Sequence, residues 1–387
     1  AEPPLAALLE AGPTIPDRRN AVVNLGRLGS EAAGSVPAIL ALLDRDRDAQ
    51  RIVSTALAGI GAPALPAVMA ELPSRNATKK LAAIDALRLM GPAAKDAVPA
   101  LLGILKDSYV RECTKGALAA IGPAAVPAIL SAMKSGDPDS RMVLVGVLEA
   151  MREGGAGAIP QLGELARQGS DQERAAAVKT LCVVGGNAPA VMDILAAAMK
   201  DQDFVVRNAA IEGLGAMGAK GAGMAPLLVA VFADTDSRFR TAAAQSLAKI
   251  GAPALPAVVK ALKDGRADVR ESAANALGEM GPAAAGAVAT LAGITRDPDE
   301  TVRYEVVQAL GQIGQEPAVA VPALQNVLQA DSSMMVRCEA ARVLGEFGPK
   351  AASAIPALKK AADGDHAGLK SAATEAIRKI ETGPLAK

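Results

Sequence analysis

The 387-residue chain has no tryptophan, two tyrosines, four phenylalanines, one histidine and three cysteines. One histidine and three dispersed cysteines do not supply the ligand set of a structural zinc site, so no metal is expected. Ser-His-Asp or Cys-His catalysis would have to be built on His366, at the far end of the chain. No Gly-Lys-Ser/Thr phosphate loop occurs, and no cofactor is expected. Net charge is missing too: 41 basic residues balance 41 acidic ones. A duplex-binding protein would carry a basic surplus, so nucleic acid is not the expected partner. The inventory predicts a protein that is not an enzyme.

The longest uncharged runs, Ile52–Ala70 and Gly116–Met133, match a membrane span in length. Both contain Gly and Pro and fall on a helix–turn–helix register, so no transmembrane segment is expected. There is no secretory hydrophobic region and no initiator Met. The opening Ala1-Glu2-Pro3-Pro4 fits either a removed signal peptide or a trimmed chain. The expected compartment is cytoplasmic, or periplasmic or secreted if Ala1 follows a removed signal peptide.

What the chain does have is a repeat. A basic or polar position recurs at Arg18, Gln50, Lys80, Arg111, Arg141, Arg174, Arg207, Arg240, Arg270, Arg303, Arg337 and Lys370, at intervals of 30 to 34 residues. That period belongs to a solenoid. Eleven residues later stands a Gly in ten of the twelve copies, Gly122 and Gly314 among them; four residues earlier stands a helix-capping side chain in ten, such as Thr14, Asp137 and Ser333. Cap and stop bracket a first helix of about fifteen residues, the Gly closing its last turn in the left-handed conformation. In the tenth copy its apolar face is Val302, Val306, Ala309, Leu310 and Ile313. A second helix opens at pairs such as Val36-Pro37, Val126-Pro127, Val321-Pro322 and Ile355-Pro356, where the missing Pro N–H costs nothing. Two copies have Met192 and Ala289 where that Pro should be. The turn between the helices is three residues shorter before Leu65, Val126 and Leu255 than in most copies.

Each unit is thus a helical hairpin that buries its apolar stripe only by stacking on its neighbours. One elongated domain is expected over 1–387, with a half repeat at 1–13, full repeats over 14–365 and a terminal half repeat at 366–387. Gly-Gly at 154–155 and at 185–186 are the candidate breaks. Half units at both ends leave open that the natural protein is longer. Cys113, Cys182 and Cys338 lie in first helices and read as buried small apolar residues without disulfide partners.

In this register the charged residues read as structure. Asp107, Asp137, Asp203, Asp236 and Asp299 cap helices; Asp201, Asp234, Asp264, Asp297 and Asp331 end the preceding hairpins. With Arg111, Arg141, Arg207, Arg240, Arg270, Arg303 and Arg337 one turn inside the next helix, they are expected to form a ladder of Arg–Asp pairs. His366 stands in a cap position, and the Gly-x-x-Gly strings read as helix stops.

Function is sought where the repeat leaves room. Outward positions of the second helices, including Leu42, Ile104, Val231, Lys260, Ile294, Asn326, Val327 and Lys360, would line a shallow, neutral concave groove for a protein or peptide. A register shifted by one residue would leave them half-buried instead. The fifth copy replaces its stop Gly with Arg152 and runs on to Gly157, as a bend, a notch or simple turn drift. Tyr109, Phe204, Met334 and Met335 stand in first turns, outside the core periodicity.

With V-R-x-x-V-x-x-A-L-G-x-I-G at Val302–Gly314 and V-P-A-L at Val321–Leu324, the chain resembles the HEAT-like repeats of the phycobilin lyase type. The resemblance runs from Thr14 to Ile380. It implies an all-α fold, a right-handed α–α superhelix of about twelve two-helix repeats. Its relatives include bilin lyase subunits, scaffolds and adaptors, a metal-dependent hydroxylase and, in architecture only, DNA-repair glycosylases. The hydroxylase's paired His-Glu motifs and the glycosylases' basic, aromatic-lined groove are both missing here. The function expected is a non-catalytic protein–protein interaction scaffold, the alternative a bilin or chromophore lyase-like or chaperone subunit.

Overall fold

The structure, a computed structural model, describes residues 2–186 and 188–383. Ala1, on which the compartment expectation turns, lies outside the described residues, as do the last four. Those described form α-helices joined by 3₁₀ turns, with no strand among them. The chain divides into two compact units, Ala1–Gly185 and Gly186–Lys387, and the division falls at one of the two Gly-Gly steps.

In the first unit the first helices are Ile15–Leu28, Gln50–Ile60, Ala77–Met90, Arg111–Ile121, Pro138–Met151 and Asp171–Val184, each packed on the next. In the second unit the corresponding row is Phe204–Ala216, Ser237–Ile250, Ala267–Glu279, Glu300–Ile313, Met334–Glu346 and Ala367–Thr382. Second helices, among them Val98–Ile104, Val126–Ser135, Leu255–Ala261, Pro317–Ala330 and Ile355–Ala362, form the other layer. Each unit is an all-α solenoid of stacked hairpins. The chain bends by 116° between Arg47–Ile60 and Ala62–Ala70 and by 120° between Phe204–Ala216 and Gly218–Ala233.

The local signals act as read. Thr14, Asn76, Asp137, Ser170, Asp203, Asp236, Asp299 and Ser333 each accept from a first-turn N–H. His366 does the same, Nδ1 accepting from Leu369 N at 3.2 Å. Val302, Val306, Leu310 and Ile313 have no exposed surface. The short turns fall at Ala62–Ala64, Gly122–Ala125 and Ala252–Ala254, against seven residues in most other copies.

Four details differ from the expectations. Gly61 (φ 76, ψ −140) and Gly122 (φ 76, ψ −147) leave their helices with positive φ but not in the left-handed helical region, which Gly314 (φ 60, ψ 15) does adopt. The chain turns directly into a 3₁₀ segment there, and that needs an extended ψ. Val321-Pro322 lies inside a helix already begun at Pro317, because Glu316-Pro317 starts it one turn early. The first Gly of a Gly-x-x-Gly string is not a stop but a contact: a Cβ at Gly26 would lie 2.6 Å from Ala56 Cα, and one at Gly215 2.7 Å from Ser246 Cα. Lastly, Cys182 is buried, with its thiol pushed up to about 12 by desolvation, but Cys113 is exposed and Cys338 half-buried.

The stretch Arg111–Ser135 is long and apolar enough, by length and composition, to cross a membrane, with a mean hydropathy of 1.7. Gly122 divides it into two helices, and Leu118, Ile121, Val126 and Ile129 lie in the core.

Candidate interaction surface

The charged ladder exists, and its members are partly different from those expected. Arg270 Nε and Nη2 both donate to Asp297, at 2.7 Å each. Arg303 meets Asp331 at 2.8 and 3.1 Å, and Arg207 donates to Asp234. Each arginine therefore reaches 27 or 28 residues ahead, to the Asp that ends its own hairpin and leads into the next first helix. The same guanidinium also reaches back. Arg270 Nη1 donates to Asp264 O and Arg303 Nη1 to Asp297 O, both at 2.9 Å. One side chain thus closes the end of the preceding second helix and grips the next loop.

The carboxylate has a second task as well. Asp234, Asp297 and Asp331 accept the N–H two residues on, from Asp236, Asp299 and Ser333, at 2.8–2.9 Å. Burial works to raise the Asp297 pKa, but the hydrogen bonds from Arg270 and Asp299 N–H outweigh it and hold the carboxyl below the usual range. The guanidinium of Arg303 is raised above its ordinary value by Asp331.

Asp203, Asp236 and Asp299 are consequently caps rather than partners of the repeat arginines, because their oxygens already take first-turn N–H groups. Asp107 serves both roles, accepting from Tyr109 N and from Lys80 Nζ at 3.0 Å. In the first unit the pairs shift: Arg19 rather than Arg18 holds Asp46, at 2.7 Å, and Arg141 holds Glu173, at 2.7 Å. Arg111, Arg240 and Arg337 form no ion pair among the described residues; they donate to the carbonyls of Leu105, Asp234 and Leu328.

The expected groove residues do not form one set. Leu42 (4% exposed), Val231 (8%) and Val327 (4%) lie in the core. Leu42 and Val231 begin 3₁₀ turns, whose tighter winding brings them round to the inner face, and Val327 continues the stripe of Ala320 and Leu324. Ile104 and Ile294 are half-buried, and Lys260, Asn326 and Lys360 are exposed. Asn326 lines a dent of about 280 Å³ with Thr295, Arg296 and Ser332.

The departures from the repeat also find places. Arg152 occupies the stop-Gly conformation (φ 51, ψ −132) and leads into a seven-residue 3₁₀ turn like that of most copies, so the fifth copy is not bent by it. Beside it, Glu112, Lys115 and Glu149 complete a dent of about 540 Å³. Phe204 and Phe239 stack with ring centroids 5.0 Å apart, Arg207 lies 3.8 Å over the Phe239 ring and Arg238 4.5 Å over that of Phe204. That Arg–Phe–Phe–Arg stack was not legible, because Phe204 and Phe239 are 35 residues apart in sequence. Among the described residues no group of three or more His, Cys, Asp or Glu could hold a metal.

A family model for HEAT repeats matches residues 159–248, 192–278, 224–294, 255–321 and 288–378, together more than half of the chain. The chain belongs to the HEAT-repeat family. No curated protein matches its sequence. Among solved structures it is similar to the karyopherin Kap121p bound to the extreme C-terminus of the protein phosphatase Cdc14p, at 15% identity and a TM-score of 0.49, over 97% of this chain and 49% of that one. Kap121p bound to Nup53p gives the same values. An engineered protein is similar at 20% identity and a TM-score of 0.34, over 98% of both chains. The chain spans about half the length of the karyopherin chains it matches, and the family assignment rests on the repeat match alone.

Proposed function

We propose that this HEAT-repeat chain is a non-catalytic scaffold that binds a protein or peptide along its layer of second helices. The observation that carries the reading is that polar side chains of the second helices stand exposed in the second unit, outside the ion pairs that join its hairpins. Arg207, Arg270 and Arg303 and the aspartates they hold are used in joining one hairpin to the next. Lys260, Asn326 and Lys360 are exposed on second helices, and neither lysine makes an ion pair among the described residues. Charged side chains without an internal partner are available to a partner's polar groups. The stretch Arg111–Ser135 is read as two core helices, not a span, because its apolar face is already covered by neighbouring hairpins.

The test is site-specific photo-cross-linking. A cross-linker at Lys260, Asn326 or Lys360 should capture the same polypeptide from the native source, and one at exposed Lys249, on a first helix, should not. Capture of nothing from the three positions, or equal capture from Lys249, would contradict the reading.

A further inference from the structure

The ladder has one gap that opens onto a cleft. Asp234, Asp297 and Asp331, the carboxylates held by Arg207, Arg270 and Arg303, each stand six residues before the next repeat arginine. For Arg111 the next repeat arginine is Arg141, and the residue six before it is Ser135. Its hydroxyl points back to the carbonyls of Ser131 and Ala132, at 3.5 and 3.4 Å. Among the described residues Arg111 is left donating only to Leu105 O and Lys106 O, at 3.2 and 3.4 Å.

Asp137 does not fill the gap. Its two oxygens take Ser140 N and Ser140 Oγ, at 2.8 Å each, and Lys106 lies 3.5 Å away. Arg240 and Arg337 also lack a carboxylate, but Asp264 stands in the matching sequence position for Arg240, and Arg337 turns back to Leu328 O at 2.8 Å. Arg111 and Ser135 instead share a cleft of about 800 Å³ whose apolar wall includes Leu102, Leu105 and Val143, with exposed Asp139 at its rim.

We propose that this cleft takes an aspartate side chain of a partner peptide, which supplies Arg111 with the carboxylate that the next repeat withholds. The chain's own pairs describe the peptide. An apolar residue lies three positions before each of the paired aspartates: Val231 before Asp234, Ile294 before Asp297 and Leu328 before Asp331. At Arg111 the matching place, three residues before Ser135, is held by the small Ala132 on the wall of the same cleft. A bound segment with Leu three residues before Asp would therefore lay its Leu along the apolar wall beside Ala132 and Leu102 as its carboxylate reaches Arg111. The charge-assisted, two-pronged contact selects a carboxylate over the amide of the same shape.

The inference rests on the peptide-scaffold reading but concerns a cleft of the first unit, whereas Lys260, Asn326 and Lys360 belong to the second, so the two can fail separately. The probe is fluorescein-labelled Leu-Ala-Ala-Asp with its C-terminus amidated, followed by fluorescence polarisation on the full chain, against Leu-Ala-Ala-Asn. The Asp peptide should bind at least tenfold more tightly, and Arg111→Gln should erase that difference. Ser135→Asp, which adds the internal carboxylate, should erase it too while leaving the protein folded by circular dichroism. Equal binding of the two peptides, no binding of either, or a preference that survives Arg111→Gln would overturn the proposal. Cross-linking at Lys260, Asn326 and Lys360 would be untouched by any of these results.

Discussion

Arg270 and Asp297 are 27 residues apart in sequence and joined by two hydrogen bonds of 2.7 Å, with side chains only 12% and 6% exposed. The pair links one hairpin's first helix to the loop that starts the next, and water has little access to it. Removing one partner leaves a buried charge, which costs about 3–5 kcal/mol in well-buried pairs. Asp297→Asn should therefore lower stability by about 2–4 kcal/mol in urea unfolding. The double change Arg270→Met with Asp297→Leu should recover most of that loss.

Helix propensity and packing make opposite demands at Gly215. Ala is better than Gly in a helix by about 1 kcal/mol, but a Cβ there would meet Ser246 Cα at 2.7 Å. Overpacking of that kind costs about 1–3 kcal/mol, so Gly215→Ala should destabilise. Gly116→Ala should do the reverse, since its Cβ meets nothing closer than Arg88 Cδ at 3.7 Å. Thermal unfolding of the two variants checks both signs.

Arg152 holds a backbone conformation (φ 51, ψ −132) that its counterparts leave to Gly. Strain of this sort is worth about 1–3 kcal/mol. Arg152→Gly should raise stability by about 1 kcal/mol after the added unfolded-state entropy of Gly is subtracted, and Gly122→Arg should lower it. Unfolding midpoints in urea would show the opposite shifts.

Two groups of carboxylates pull stability in opposite directions with pH. Asp137, held by Ser140 N–H and Oγ, and Asp236, held by Arg238, titrate at about 2 in the folded chain, against about 3.9 when unfolded. Their contribution is complete above about pH 4 and is lost as pH falls toward 2. Glu305 and Glu271 are raised, first by burial, so their ionisation removes stability as pH rises above about 4.3. Glu305→Gln should therefore gain stability at pH 7 relative to pH 4, and Asp236→Asn should flatten the loss on the acid side. Urea titrations across pH 2–7 measure both.

The hairpin plan was legible because each signal is local: a cap, a stop and a 3.6-residue stripe lie within one helix. His366 could be placed as a cap from register alone. Long-range relations were half legible. Repetition showed that arginines and aspartates pair, but not that Asp297 serves Arg270 and Asp299 serves its own helix, two residues apart. The same limit misplaced Leu42 and Val231, whose positions depend on where an α-helix tightens into a 3₁₀ turn. Gly215 looked like part of a stop signal because its neighbour Ser246 comes from the next repeat.

The relation that organises this surface is a guanidinium waiting for a carboxylate from one repeat ahead, and the most direct measurement adds that carboxylate where it is missing. Ser135→Asp should raise the unfolding midpoint of the chain, and the Arg111 Nε–Hε resonance should shift and exchange more slowly with water. An unchanged or lower midpoint, with Arg111 still exchanging as in the parent chain, would contradict the account.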